Sequence, residues 1–210
     1  MAELTTEDTI IAAALDLAGA RGWDAVTMTE IAAAAEVPLA ETARLFPDKG
    51  AVLDGLGRMV DAAMLAGGPA DAEESPRDRL FDVIMRRFDA LAAHKPGVES
   101  VLRSLRGDPL TVLARLPGVE RSAAWTLDLA GVAAGGLGGV LQVRILALAL
   151  ARVTWVWLRD ESPDMAQTMK ELDRVLANAE PVLSRVGQGF LRRKNKPKDE
   201  LGGEDQPADS

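Results

Sequence analysis

AEVPLAETARLFPDKG, residues 35–50, is the stretch on which the fold turns. Val37 and Pro38 make a turn, because Pro38 has no amide donor and disfavours a helical residue before it. Leu39 to Phe46 is long enough for one short helix, which Pro47 ends. Asp48 then restarts a helix whose apolar positions are Val52, Leu53, Leu56, Met59 and Val60. Immediately upstream, Thr27 and Glu30 stand at N-cap and N3 spacing ahead of Ile31, Ala32, Ala34 and Ala35. A short helix, a tight turn and a second short helix follow one another, which is helix-turn-helix spacing.

Working outward, Thr5 and Asp8 repeat the capping spacing before Ile10, Ile11, Ala14, Leu15, Leu17 and Ala18, and Gly22 is the expected stop. Downstream, AGGPADAEESPRD is a polar connection after Met64. Leu80, Val83, Ile84, Arg87, Phe88 and Leu91 share a helical stripe. Breaks are expected at Lys95-Pro96-Gly97, Gly107-Asp108-Pro109 and Pro117-Gly118, with a glycine-rich hinge over residues 131–139. Val140 to Leu158 approaches membrane-span length, but Arg144 and Arg152 inside it favour a buried core helix. Ser162 is the expected N-cap of the next helix, with Pro163 at its first position and Met165, Met169, Leu172 and Leu176 facing inward.

Composition agrees with an all-α chain. The 210 residues are 48% hydrophobic, enough to bury a sizeable core, and there is no Tyr and little aromatic content. The absence of Cys excludes disulfides, thiolate chemistry and Cys-based metal sites. His94 is the only histidine, and a helix-end position accounts for it. No nucleophile set and no Gly-rich phosphate loop after a strand is present, and Asp160-Glu161 reads as a solvated turn, so neither enzyme activity nor a cofactor nor a metal is expected. The N-terminus has no basic and apolar pattern of a signal peptide, which makes the cytoplasm the expected compartment.

Residues 22–56, GWDAVTMTEIAAAAEVPLAETARLFPDKGAVLDGL, resemble the helix-turn-helix of the TetR family of transcriptional regulators. The resemblance rests on Gly22-Trp23, Thr27 before Ile31-Ala32, Val37 in the turn, Phe46 closing the third helix and Lys49 at the next helix start. It implies a TetR-like all-α fold: a three-helix head at 1–56, a ligand-binding and dimerisation body at 57–192 and a charged tail at 193–210. It also implies a one-component regulator, a homodimer on pseudo-palindromic DNA controlled by an apolar small ligand. Dimerisation would run through the long helices from Leu141 and Met165.

The implied DNA-contacting residues are Thr27, Thr29, Leu39, Glu41, Thr42, Arg44 and Lys49. Thr27 reads equally as a plain helix cap and Lys49 as a solvated lysine. The third helix departs from the family's usual Gly, Thr, Leu and Tyr run: here it reads Ala40, Glu41, Thr42, Ala43, Arg44, Leu45, Phe46. Glu41 repels phosphates, although a carboxylate also accepts from cytosine N4, and Arg44 is the one strong reader. Residues 1–56 hold ten acidic and three basic side chains, a balance of −7 out of the chain's −8. Weak, salt-sensitive DNA binding is the expectation.

In the body, Met85, Phe88, Trp125, Arg144, Arg152 and Trp155, with Phe81 and Trp157 nearby in sequence, read either as the lining of an apolar cavity with a cationic anchor or as core with surface ion pairs. VLSRVGQGFLRRKNKPK, residues 182–198, is a basic amphipathic stretch, suited to an anionic membrane surface or to packing on its own body. RLFPDKG at 44–50 and WLRDESPDMAQTMKELDRVL at 157–176 also resemble the TetR-fold lipid-binding proteins of coenzyme Q biosynthesis. That second resemblance implies an isoprenoid lipid in the body and peripheral membrane contact.

Overall fold

Side-chain caps decide where the helices begin. The computed structural model describes residues 5–179. In α1 (Thr6–Arg21) the Thr5 hydroxyl oxygen accepts the Asp8 amide at 3.1 Å, while the Asp8 carboxylate accepts the Thr5 amide. Gly22, at φ +91°, ends the helix in a conformation that side chains resist. A 3-10 turn at Trp23–Ala25 leads to α2 (Met28–Ala34), which the reciprocal Thr27–Glu30 box caps. There follow α3 (Leu39–Leu45), α4 (Lys49–Ala66), α5 (Pro76–Ala92), α6 (Lys95–Leu105), α7 (Pro109–Leu129), α8 (Gly136–Trp157) and α9, which occupies 166–179 of the described residues. Asp48, Ser75 and Asp108 cap α4, α5 and α7 in turn. No strand occurs among the described residues, so the all-α expectation holds.

One core runs through the bundle, from Ile10, Ile11 and Phe46 in the head to Ile84, Phe88, Leu146 and Trp157 in the body. Two contacts tie these ends together. Helix α1 crosses α6 so closely that a Cβ on Gly97 would lie 2.3 Å from the Leu15 carbonyl oxygen. Beside this crossing the Trp23 amide donates to Ser100 Oγ at 2.8 Å, and Ser104 donates to Asp24. Helix α4 passes residue 56 without interruption, and Arg115 of α7 holds it by donating to the Gly50 carbonyl and the Asp54 carboxylate.

Several local expectations are corrected. Helix α7 runs straight through Pro117-Gly118. A proline inside a helix removes one intrahelical bond. Here buried Ser122, Ala123, Thr126 and Leu127 on one side, and Arg115 on the other, hold both halves in line. The hinge ends at Gly135, and Gly139 lies inside α8, packed on the Ala134 backbone.

The start of α9 also moves. Met165 takes φ +55° and the helix begins at 166, with the Ser162 hydroxyl accepting the Ala166 amide at 2.9 Å. Asp160, expected in solvent, is 3% exposed and accepts from the amides and hydroxyls of both Ser162 and Thr168. Burial alone would raise its carboxyl, but those hydrogen bonds outweigh the burial and hold it below the usual carboxylate range.

Helix α8 is the one described helix long and apolar enough, by length and composition, to cross a membrane. It is half a core helix rather than a fully buried one. Leu146, Leu150, Val153 and Trp157 face the bundle, whereas Leu137 is 91% exposed and Leu148 73%. Residues 182–198 and the tail at 193–210 lie outside the described residues.

The α1–α6 crossing generates a direct test. Gly97→Ala must push Leu15 away, so overpacking is expected to lower the unfolding free energy by about 1–3 kcal/mol. Urea denaturation of the variant checks it, with an unchanged midpoint refuting the assigned close approach.

Candidate nucleic-acid interface

The turn before α3 is built by two backbone hydrogen bonds. The Glu36 amide donates to the Ala33 carbonyl at 3.2 Å and the Val37 amide to Ala32 at 3.0 Å, the pattern that closes a helix through a left-handed residue. That residue is Glu36, at φ +55°, a conformation in which a side chain crowds the backbone. The turn expected at Val37 and Pro38 therefore begins one residue earlier, at left-handed Glu36.

Beyond the turn, the Pro38 carbonyl accepts the Glu41 and Thr42 amides and the Thr42 hydroxyl at 3.2 Å. Thr42 is therefore corrected: it is 0% exposed and points into the head, where its hydroxyl satisfies the first turn of α3. Phe46, fully buried, packs against Gly55 of α4 and sets the pitch of α3 against the head. What remains outward on α3 is Leu39, Ala40, Glu41, Ala43 and Arg44. Arg44 and Glu41 lie 3.8 Å apart and both are largely exposed, so this pair holds neither side chain firmly.

Three other expected contacts surround that face. Thr27 is exposed, and its hydroxyl oxygen accepts the Glu30 amide at 3.3 Å, so it is a working helix cap. Thr29 is exposed on the first turn of α2. Lys49 is half-buried: its Nζ donates to the Trp23 carbonyl at 2.6 Å and sits 4.7 Å from the Trp23 ring centroid. Burial lowers the Lys49 ammonium from its ordinary value, and the nearby Asp24 carboxylate opposes that shift. Lys49 thus braces the 3-10 turn against the start of α4. Glu30 also carries weight: hydrogen bonding from Arg21, then from the Thr27 hydroxyl and amide, brings its carboxyl from 4.5 to about 2.

The residues expected to line a ligand cavity are not gathered in one place. Phe88 is buried against Trp157 at 5.6 Å between centroids, and Met85 packs half-buried beside the core. Arg144 pairs with Glu120 at 3.1 Å and Arg152 with Glu171, both arginines exposed. Trp155 lies between the guanidinium groups of Arg106, 3.5 Å away, and Arg159, 4.0 Å away. Trp125 alone borders an open cleft of about 900 Å³ between α7 and α8.

Missed by the sequence reading is a buried polar cluster joining three helices. Arg87 of α5 donates to Asp61 of α4 at 3.1 Å and to Ser122 of α7 at 2.5 Å, and Ser122 donates to Asp61. The only signal for it was one Asp and one Arg placed on otherwise apolar stripes. His94 precedes α6 and its Nδ1 lies 3.7 Å from the Asp16 carboxylate.

Residues 10–55 match the family model described as bacterial regulatory proteins, tetR family. No curated protein matches the chain. Among solved structures the chain is similar to a TetR transcriptional regulator from Nitrosomonas europaea, with 25% identity over 83% of this chain and 97% of that one and a TM-score of 0.69. A TetR transcriptional regulator from Rhodococcus gives 20% identity, coverages of 82% and 93% and a TM-score of 0.61. A TetR variant from Acinetobacter baumannii, solved with minocycline, gives 22% identity, coverages of 83% and 96% and a TM-score of 0.53. The head matches the model of that family, and the described chain has a TetR-like fold. The second resemblance, to coenzyme Q lipid-binding proteins, gains no support from these comparisons.

Two measurements test the head. Glu36→Gly removes the side chain from a left-handed position and is expected to stabilise by about 0.5–1 kcal/mol, read from urea midpoints. Because the Glu30 carboxyl is lowered in the folded head, its contribution is complete above about pH 4.5 and is lost as pH falls toward 2. The difference in Tm between the native chain and Glu30→Gln is therefore expected to be largest at neutral pH and to close toward pH 2; a constant difference would refute the assignment.

Proposed function

We propose that this chain is a cytoplasmic one-component transcriptional regulator, without enzymatic activity, that reads pseudo-palindromic DNA as a homodimer and responds to an apolar small ligand. The observation that carries this reading is the outward face of α3: Leu39, Glu41 and Arg44 stand clear of the head while Thr42 and Phe46 anchor the helix from behind. A helix held rigidly from one side and free on the other is what a major-groove reader requires.

In this reading residues 1–56 form the head and residues 57–192 the body. Arg44 donates to a guanine edge or a phosphate and Glu41 accepts from cytosine N4. Thr27 and Thr29 lie at the start of α2, where unpaired amides favour a phosphate, and Lys49 supplies a point charge at the start of α4. Its present hydrogen bond uses one of three ammonium donors, so bracing Trp23 and reaching a phosphate are compatible. The exposed face of α8, with Leu137, Leu141 and Leu148, supports dimerisation through α8 and α9. Ligand control is supported by the minocycline complex of the related regulator fold.

Binding of the purified chain to a fragment from its own upstream region, against non-specific DNA at low and physiological salt, tests the reading. A site-specific complex that survives physiological salt and is lost in Arg44→Ala is expected; unchanged affinity of Arg44→Ala would overturn the assignment. With ten acidic groups in the head, Glu41→Gln is expected to raise non-specific affinity and to relax discrimination at one base pair, worth about 1–3 kcal/mol.

A further inference from the structure

The cleft between α7 and α8 carries chemistry that the fold does not use. Arg121, Trp125 and Asp128 are spaced i, i+4 and i+7 on α7, so all three line the same wall. Trp125 is 43% exposed, a large indole left facing solvent. Opposite it stand Val132, Val140 and Val143. Of the charges at the cleft, Glu120 is committed to Arg144 at 3.1 Å. Among the described residues Arg121 and Asp128 have no side-chain hydrogen bond or ion pair. One free cation and one free anion thus flank an exposed aromatic face, about 10 Å apart along the helix axis.

The far wall is held in place by its backbone. Gly131 and Gly136 take φ +63° and +62°, and Gly139 packs directly on the Ala134 backbone, so the 131–135 connection folds back on the start of α8. A volume of about 900 Å³ with these walls accepts a drug-sized molecule.

We propose that the α7–α8 cleft binds a flat, largely apolar small molecule with a basic group at one end and an acidic group at the other. Its ring system stacks on Trp125 against the three valines, its cationic end pairs with Asp128 and its anionic end with Arg121. Stacking and apolar burial supply most of the affinity, and the two charges fix orientation and reject molecules with two like-charged ends. The role of this molecule as the controlling ligand rests on the regulator reading; its binding does not.

Rhodamine B, a zwitterion with a flat xanthene ring system, and its ethyl ester, which lacks the free carboxylate, are suitable probes. Fluorescence anisotropy with the full chain is expected to give saturable binding of both, tighter for the zwitterion. Trp125→Ala is expected to weaken both dyes by about tenfold or more. Asp128→Asn weakens both, whereas Arg121→Gln weakens rhodamine B and leaves the ester unchanged. Circular dichroism melts of each variant confirm that the fold persists, and Trp125→Phe, which keeps an aromatic face, is expected to retain most of the affinity.

Absence of saturable binding, or equal affinities in the native chain, Trp125→Ala and Asp128→Asn, would overturn the assignment. Dye affinity that falls as the chain self-associates would assign the cleft to a second copy and also overturn it. Operator binding measured on the same preparation separates the two readings: DNA binding without dye binding removes the cleft site alone, and dye binding without DNA binding removes the regulator role alone.

Discussion

The close crossing of α1 over α6 is the contact on which the architecture depends. At Gly97 two backbones meet at a distance that excludes even a methyl group, and a Cβ added to Gly19 at the same crossing would lie 3.2 Å from Pro96 and Gly97 atoms. Around it the head is fastened to the body through Trp23–Ser100 and Asp24–Ser104. Because Trp23 also accepts from Lys49, one indole residue links the first turn of the head, the start of α4 and the body helix α6.

A second junction lies deeper. Asp61, Arg87 and Ser122 bring α4, α5 and α7 to one buried point, and Arg115 repeats a link between α7 and α4 nearer the head. Burial lowers the Arg87 guanidinium from its ordinary value, and the Asp61 carboxylate and its hydrogen bond oppose that shift. Such a cluster contributes little net stability, yet leaving one partner alone is costly, which makes it a strong constraint on how α4, α5 and α7 are aligned. The same helix α7 that carries Ser122 and Arg115 carries Trp125 at the open cleft.

The acidity of the head has a structural side that net charge conceals. Glu30 is tied to Arg21 and Thr27, Asp8 to Thr5, and Asp48 caps α4, so much of the negative charge serves helix starts. Glu36 and Glu41 are different: the first occupies a strained left-handed position and the second stands on the outward face of α3. The outward face of α3 is consequently lean, with Arg44 its one strong cation and small alanines beside it. On the proposed DNA-reading role, a surface of this kind gains little from general attraction to phosphates and depends on the fit of individual side chains.

Local chemistry settled the elements themselves. The boxes at Thr5–Asp8 and Thr27–Glu30, the stop at Gly22 and the cap at Asp48 act within four residues, so the sequence by itself determined those helix boundaries, the all-α class and the helix-turn-helix spacing. Long-range packing decided the rest. Pro117 sits inside a continuous helix because both halves of α7 are anchored elsewhere, and Asp160 is buried because Thr168 lies above it. Thr42 turns inward because Phe46 and the Pro38 carbonyl fix the rotation of α3, and Met85, Phe88, Trp125, Arg144, Arg152 and Trp155 scatter across core, surface and cleft. Residue type and spacing specify which side of a helix is apolar. Which neighbour that side meets, and whether a polar group finds a partner there, depends on contacts between residues far apart in the chain, and only the tertiary structure supplies them.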